Sequence, residues 1–310
     1  MTTLQKAAPL VVGIGEVLWD LLPSGRQLGG APANFAFHAH QLGAKAAVIS
    51  RVGADPLGQE ILTRFQTMGL ATDAIQTDSE AATGTVDITL NGGGVPHFVI
   101  RDNAAWDHLA VEETALTAVR QADAICFGTL AQRNPAARKS IQRLLAAASP
   151  DALRVLDVNL RQQFYSREVI ECSLRLANVL KLNDLELPVL AEMFNLGNPG
   201  PAAIEQLARA FDLRVVALTL GERGSLIYRE GRWSERHPKP INVADTVGAG
   251  DAFSAALVSG LLVEMDLDEV HDFASEVARF VCSQPGAMAV LPFEFRERTR
   301  VGGHVNGKAR

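Results

Sequence analysis

The sequence predicts an α/β protein built on a mostly parallel sheet covered by helices on both faces. Three observations carry this. Short β-branched runs alternate with stretches whose apolar residues recur at three and four along most of the chain. Strand followed by helix, repeated, is the pattern of parallel strands joined by helical crossovers. And 310 residues, 47% hydrophobic and 21% charged, supply a core of one large domain or two modest ones.

In chain order, residues 10–15 read as the first strand and leave through Gly13 and Gly15, a tight exit. Residues 46–52 form the next strand, and 57–68 carry a helical apolar stripe. Residues 83–90 then alternate as a half-buried strand, Asn91-Gly-Gly-Gly94 turns, and 95–101 return. A two-stranded hairpin is not stable alone, so this one is expected to pair with the segment near 18–28 or to project as a small lid. Further strands fall at 124–127, 154–158, 179–183 and 215–220, with helices at 135–148 and 166–177. A helical apolar pattern fills 252–265, and an Arg- and Gly-rich tail that ends in a frayed terminus is expected after Pro292.

The net charge is −6 with basic residues scattered, which disfavours nucleic acid or an anionic membrane surface as partner. Cys126, Cys172 and Cys282 are odd in number and lack C-x-x-C spacing, so neither a disulfide framework nor a zinc site is expected. The start lacks the pattern of a secretory signal, and the most apolar uncharged run, 252–263, falls short of the ~20 residues that span a bilayer. The expected location is the cytoplasm, with no membrane partner. Leu18 stands where the third glycine of G-x-G-x-x-G would be, which disfavours a dinucleotide site, and no G-x-x-x-x-G-K-[ST] occurs.

The strongest local signal is Asp245-Thr-Val-Gly-Ala-Gly-Asp-Ala-Phe253 at the start of a helix. Gly248, Ala249 and Gly250 let amide N–H groups converge where unpaired donors and the helix dipole favour an anion. Asp251 directly behind them is electrostatically awkward unless it takes a proton from an attacking hydroxyl. A glycine-rich turn with an acid in the first helical turn would read the same way.

This stretch resembles the C-terminal signature of the ribokinase-like (PfkB) carbohydrate kinase family, and Gly29-Gly-Ala-Pro-Ala-Asn-Phe-Ala36 resembles its N-terminal sugar-binding signature. Val52-Gly-Ala-Asp-Pro-Leu-Gly58, Asp157-Val-Asn-Leu-Arg161, Asn183-Asp-Leu-Glu186 and Thr219-Leu-Gly-Glu-Arg-Gly224 follow in family order, so the likeness covers about residues 10–292. Gly15-Glu-Val-Leu-Trp-Asp-Leu-Leu-Pro23 and residues 96–107 are most similar to bacterial fructokinases.

The resemblance implies a single ribokinase-like domain over 1–310, a three-layer α/β/α sandwich with a small β lid from about 18–32 and 83–107 and a tail at about 293–310. It implies transfer of phosphate from ATP, with Mg²⁺ and a possible K⁺, to D-fructose, giving fructose 6-phosphate. Asp251 is then the base, Gly248, Ala249 and Gly250 the anion hole, and Arg161 the arginine facing the transferred phosphate. Asp20, Gly30 and Asn34 match sugar positions. Asn183 and Glu186 match the element around magnesium and the phosphates, and Thr219, Gly221 and Gly224 the nucleotide segment. Asp245 to Val247, with 283–286, match the stretches whose carbonyls hold a monovalent cation. A homodimer through the lid also follows from the resemblance.

Other readings of these residues stand beside it. Asn34 is also a fitting helix cap, Arg161 a solvated arginine, Glu186 an exposed first-turn acid, and Gly221 with Gly224 a turn between strands. Ser275 stands where many relatives carry Asn near adenine. Trp19 and Trp106 either line the sugar pocket or form an apolar hinge between lid and body. His38 and His40 lack metal-pair spacing and are given no chemistry. Ribose, 2-keto-3-deoxygluconate or a nucleoside are alternative acceptors, and a catalytically silent sugar-binding protein is the alternative outside the enzymes.

Overall fold

A computed structural model describes residues 7–22, 25–90, 96–237 and 239–300. The β-branched runs form strands β1 (Leu10–Ile14), β4 (Lys45–Gly53), β8 (Ala124–Phe127), β9 (Leu153–Asp157), β10 (Val179–Asn183) and β11 (Val215–Thr219), within a residue or two of expectation. They are parallel neighbours in the order β11-β10-β9-β8-β1-β4, continued by the short strand β5 (Ile75–Asp78). Two antiparallel strands close the far edge and make nine: β12 (Ser225–Arg229), which follows the turn at Gly221 and Gly224 as the alternative reading of those glycines expects, and β13 (Arg232–Arg236), which the alternation did not announce.

Helices cover both faces because the strands are apolar on both, and a separate apolar cluster lies on each side of the sheet. One cluster packs under α3 (Glu113–Gln121), α4 (Pro135–Ala146), α5 (Arg167–Leu176), α6 (Glu186–Phe194) and α7 (Pro201–Phe211). The other packs under α1 (Ala31–Gln41), α8 (Ala249–Leu262) and α9 (Leu267–Cys282). From β1 the chain goes to β4 on one side, and β8 later takes the other. The carboxyl ends of β1 and β8 thus open a crevice where a doubly wound sheet binds its ligand.

The hairpin forms as β6 (Gly84–Leu90) and β7 (Pro96–Ile100); its expected turn at 91–94 lies outside the described residues. It does not stand alone. β2 (Leu18–Leu22) pairs with β6 in parallel and with β3 (Gly25–Gly29) in antiparallel, which gives a four-stranded second sheet in the order β3-β2-β6-β7. Asp55 ties this sheet to the body: it caps α2 (Pro56–Thr67) by accepting the Gly58 N–H at 2.8 Å and also accepts the Thr83 N–H at 2.8 Å.

The two tryptophans resolve in favour of the hinge. Trp19 is fully buried, donates Nε1–H to the Leu57 carbonyl at 3.1 Å, and lies under the guanidinium groups of Arg26 and Arg64. Trp106 is equally buried beneath Arg133, 4.1 Å from the ring centre, and sits so close to Gly84 that a Cβ there would strike its indole nitrogen.

The stretch from 293, expected as a tail with a frayed end, begins with a short helix, α10 (Phe293–Arg298). It is held because Phe295 packs its ring against Phe273 and Phe280 of α9, at 6.3 and 6.0 Å between centres. Residues 301–310 of that tail lie outside the described residues.

Candidate active site

The sugar-side and phosphate-side motifs, 217 positions apart, meet in one hydrogen bond: Asn34 Nδ2 donates to Asp251 Oδ2 at 2.8 Å. Asn34 is buried in the first turn of α1, whose cap is Gly30 at φ 113°, so the capping alternative for Asn34 does not apply. Only glycine suits Gly30, because a Cβ there would strike the Glu16 carbonyl. Asp20, on β2, folds its carboxylate against Gly29, and thereby against the start of the same helix.

Asp251 is half-buried in the first turn of α8, capped by Gly248 at φ 78°. A Cβ on Gly248 would lie 2.6 Å from the Ala287 carbonyl oxygen, so the cap is pressed against the loop after α9. The amides of the first turn, at Gly248, Ala249 and Gly250, have no acceptors within the helix; that of Ala249 donates to the Thr246 carbonyl at 3.3 Å, and those of Gly248 and Gly250, without a backbone acceptor among the described residues, are the ones turned to an anion. Burial, and next the charge of Asp157, push the Asp251 carboxyl up to about 7, against the opposing pull of Asn34, Lys181 and Arg161. A carboxyl that titrates near neutrality suits general-base work.

Behind the first turn of α8 lies a charge that sequence reasoning missed. Lys181, in the middle of β10, is buried, and its ammonium bonds Asp157 at 3.1 Å. The Asp157 carboxylate also accepts the Ser254 hydroxyl at 3.2 Å. The ammonium lies 2.8 Å from where a Cβ on Gly250 would stand, so it backs the first-turn backbone directly. Burial by itself would lower the Lys181 pKa, but Asp157, then Glu186 and Asp251, hold it above its ordinary value. The one available signal was a lysine inside the apolar run Val179–Asn183, which a half-exposed strand would equally explain.

Glu16 was missed as well. It is buried, and burial raises its carboxyl to about 7 against the opposing effects of its own and Ala31's amide and of Arg161, with Asp251 adding to the rise. Asp20 is held at about 6 by burial, again opposed by Arg161. Arg161 is exposed, its guanidinium donates to the Leu160 carbonyl at 3.1 Å, and its charge reaches Glu16, Asp20 and Asp251 together. Its loop contains Asn159 and Gln162 in the left-handed region, at φ 44° and 48°, a backbone state that costs free energy and concentrates at functional sites.

Glu186 is not the exposed acid of the alternative reading: it is buried, and its two oxygens accept the amides of Leu160 at 2.9 Å and Asn183 at 2.8 Å. Asn183 Oδ1 in turn accepts the amides of Leu185 and Glu186, closing a reciprocal cap at the start of α6. Burial raises the Glu186 carboxyl, opposed by Lys181. Thr219 sits beside Asn183 in the sheet register. Gly221, at φ 59°, faces open space, while Gly224, at φ 105°, is pinned against the Arg236 carbonyl. Ser275 stands next to this segment, its hydroxyl 3.4 Å from that of Ser225, which also bonds buried His271 at 2.7 Å.

Asp245 joins the two stretches matched to a monovalent cation: its carboxylate accepts the amides of Val247 at 3.0 Å and Gly286 at 3.1 Å. No cluster of three or more His, Cys, Asp or Glu set to hold a metal occurs among the described residues, and no helix among them is long and apolar enough to cross a membrane.

A family model of pfkB carbohydrate kinases matches residues 25–294. A fructokinase of Solanum tuberosum is 28% identical over 315 residues, which cover 95% of this chain and 96% of that protein. A sugar kinase of Pyrococcus horikoshii, solved in complex with ATP, superposes with a TM-score of 0.76 at 28% identity, over 90% of this chain and 94% of that one. A 2-dehydro-3-deoxygluconokinase of Thermotoga maritima reaches a TM-score of 0.80 at 20% identity, over 95% and 99% of the two chains, a likeness of fold. With the family's motifs drawn together at the carboxyl ends of the strands and its model spanning most of the sequence, the chain belongs to the pfkB family of carbohydrate kinases and is a sugar kinase.

Proposed function

We propose that this sugar kinase transfers the γ-phosphoryl group of ATP to the primary 6-hydroxyl of D-fructose, giving D-fructose 6-phosphate. The observation that carries the reading is the Asn34–Asp251 bond, which sets a sugar-reading amide beside a base at the mouth of an anion hole. Fructose as acceptor is supported by the fructokinase-like stretches 15–23 and 96–107 and by the fructokinase names among the relatives.

In this mechanism Asp20, Gly30 and Asn34 hold the sugar, and Asp251 accepts the proton of the attacking hydroxyl as the phosphorus–oxygen bond forms. The amides of Gly248, Ala249 and Gly250 meet the charge that grows on the phosphoryl oxygens, with Lys181 behind them and the Arg161 guanidinium in front. Thr219, Gly221 and Gly224 receive the nucleotide, Gly221 by offering backbone to open space.

Magnesium, when bound with the nucleotide, neutralises phosphate charge. Glu186 fits it through water, since each of its oxygens already accepts one amide and keeps a lone pair for a hydrated ion, while Asn183, whose Oδ1 already accepts two amides, holds Glu186 in place. A monovalent cation is assigned to the carbonyls of Asp245 to Val247 and of 283–286, which the Asp245 carboxylate holds side by side. The second sheet serves as the lid, excludes water as a competing acceptor, and offers the surface for a homodimer. The compartment assigned is the cytoplasm.

An ADP-release assay across D-fructose, D-ribose, D-glucose and 2-keto-3-deoxygluconate, with phosphorus NMR of the product, tests the reading. The highest kcat/KM is expected for D-fructose with the 6-phosphate as product. A preference for another acceptor overturns the fructose assignment.

A further inference from the structure

Two buried oxygens beside Asp251 have no partner among the described residues. Glu16, 3% exposed, turns its carboxylate toward the Ala31 amide and leaves Oε2 unmet. Asn34, 5% exposed, spends its Nδ2 on Asp251 and leaves Oδ1 unmet. Buried acceptors of this kind cost free energy until a donor reaches them, so native structures rarely keep them without a reason. The phosphoryl-transfer steps above use neither oxygen.

Both oxygens belong to the reacting end of the sugar site. Asn34 bonds the base itself, and Glu16 feels the charges of both Asp251 and Arg161. The Glu16 carbonyl abuts Gly30 at the start of α1, which brings the residue against the helix that carries Asn34. Asp20, by contrast, stands on the lid strand β2. A sugar with its reacting oxygen on Asp251 and its far side under the lid therefore presents its nearest ring hydroxyl to Glu16 and Asn34.

We propose that Glu16, together with Asn34 Oδ1, binds the ring hydroxyl nearest the reacting arm of the sugar, and that Glu16 decides which configuration at that carbon is accepted. A hydroxyl has one hydrogen to donate and lone pairs to accept with, so it donates to the ionised Glu16 carboxylate, or accepts from the protonated carboxyl while donating to the amide oxygen beside it. The inference rests on the fructose reading: in the furanose phosphorylated at the 6-hydroxyl, that group is the 4-hydroxyl, which D-tagatose carries inverted.

The test is a cycle of two enzymes and two substrates. Glu16→Gln should lower kcat/KM for D-fructose about 10- to 100-fold, the scale of a hydrogen bond to a charged group. It should leave kcat/KM for 4-deoxy-D-fructose, already poor with the wild type, nearly unchanged, and should narrow the preference for D-fructose over D-tagatose. ATP-induced thermal stabilisation should match the wild type. Equal losses on D-fructose and its 4-deoxy analogue, or no loss on either, overturn the proposal. Should Glu16→Gln fold poorly, Glu16→Asp withdraws the same carboxylate by one methylene and is read by the same cycle. If the wild type prefers another sugar, the fructose reading falls alone, and the cycle on that sugar and its analogue lacking the corresponding hydroxyl decides the role of Glu16. A wild type that phosphorylates no sugar removes both.

Discussion

Asp251→Asn is expected to remove catalysis and stabilise the fold together, with a pH dependence that follows from one titration. The unfolded chain holds this carboxyl at its ordinary 3.8, whereas the folded site holds it at about 7. Between those values the native state keeps a proton that the unfolded state releases. The wild type therefore loses stability as pH rises from about 4 to about 7, and the loss levels off above. At about 1.36 kcal/mol per tenfold change in proton affinity, the full cost is ~4 kcal/mol, a sizeable part of a typical net stability of about 5–15 kcal/mol. Asparagine is nearly isosteric, keeps an oxygen to accept the Asn34 N–H, and carries no charge. Urea denaturation should thus show variant and wild type equal near pH 4 and the variant more stable by up to ~4 kcal/mol at pH 8. Turnover should fall by about 10²- to 10⁴-fold, the usual worth of a general base, and the acid limb of wild-type kcat/KM should lie near 7. Equal stability at pH 8 would refute the burial argument; near wild-type turnover would remove Asp251 from the mechanism.

Lys181→Met should cost about 3–5 kcal/mol in urea denaturation, because Asp157 would stay buried with only the Ser254 hydroxyl on its carboxylate. The pair Lys181→Met with Asp157→Asn should recover most of that stability but not the turnover, since the positive charge behind Gly250 is still gone; recovery of both would show the pair to be structural only. Replacing K⁺ by tetramethylammonium should lower the rate several-fold if the carbonyls around Asp245 and Gly286 hold a small monovalent cation, and an unchanged rate would withdraw that site.

Much of this molecule is legible in local sequence. The runs 124–127 and 179–183 stand as strands where they were expected, because β-branched residues between helical stripes have few other places to go. The glycines and Asp251 around 245–253 announce a helix start, which α8 confirms, and unpaired amides come with any such start. Tertiary structure decided the rest. Lys181 and Glu16 look like any surface charge in sequence, and only the tertiary packing, which sets Gly250 over the Lys181 ammonium and Gly30 against the Glu16 backbone, makes them buried. Trp19 and Trp106 could equally have faced a sugar; the pairing of β2 with β6 turned them into the joint between the second sheet and the body. Residue 293 began a tail only until Phe295 met two rings of α9. Propensity and capping act over a few residues and so are written in the sequence, whereas burial, which sets the pKa of Asp251 and the cost of every unpaired oxygen near it, depends on which distant segment lies on top.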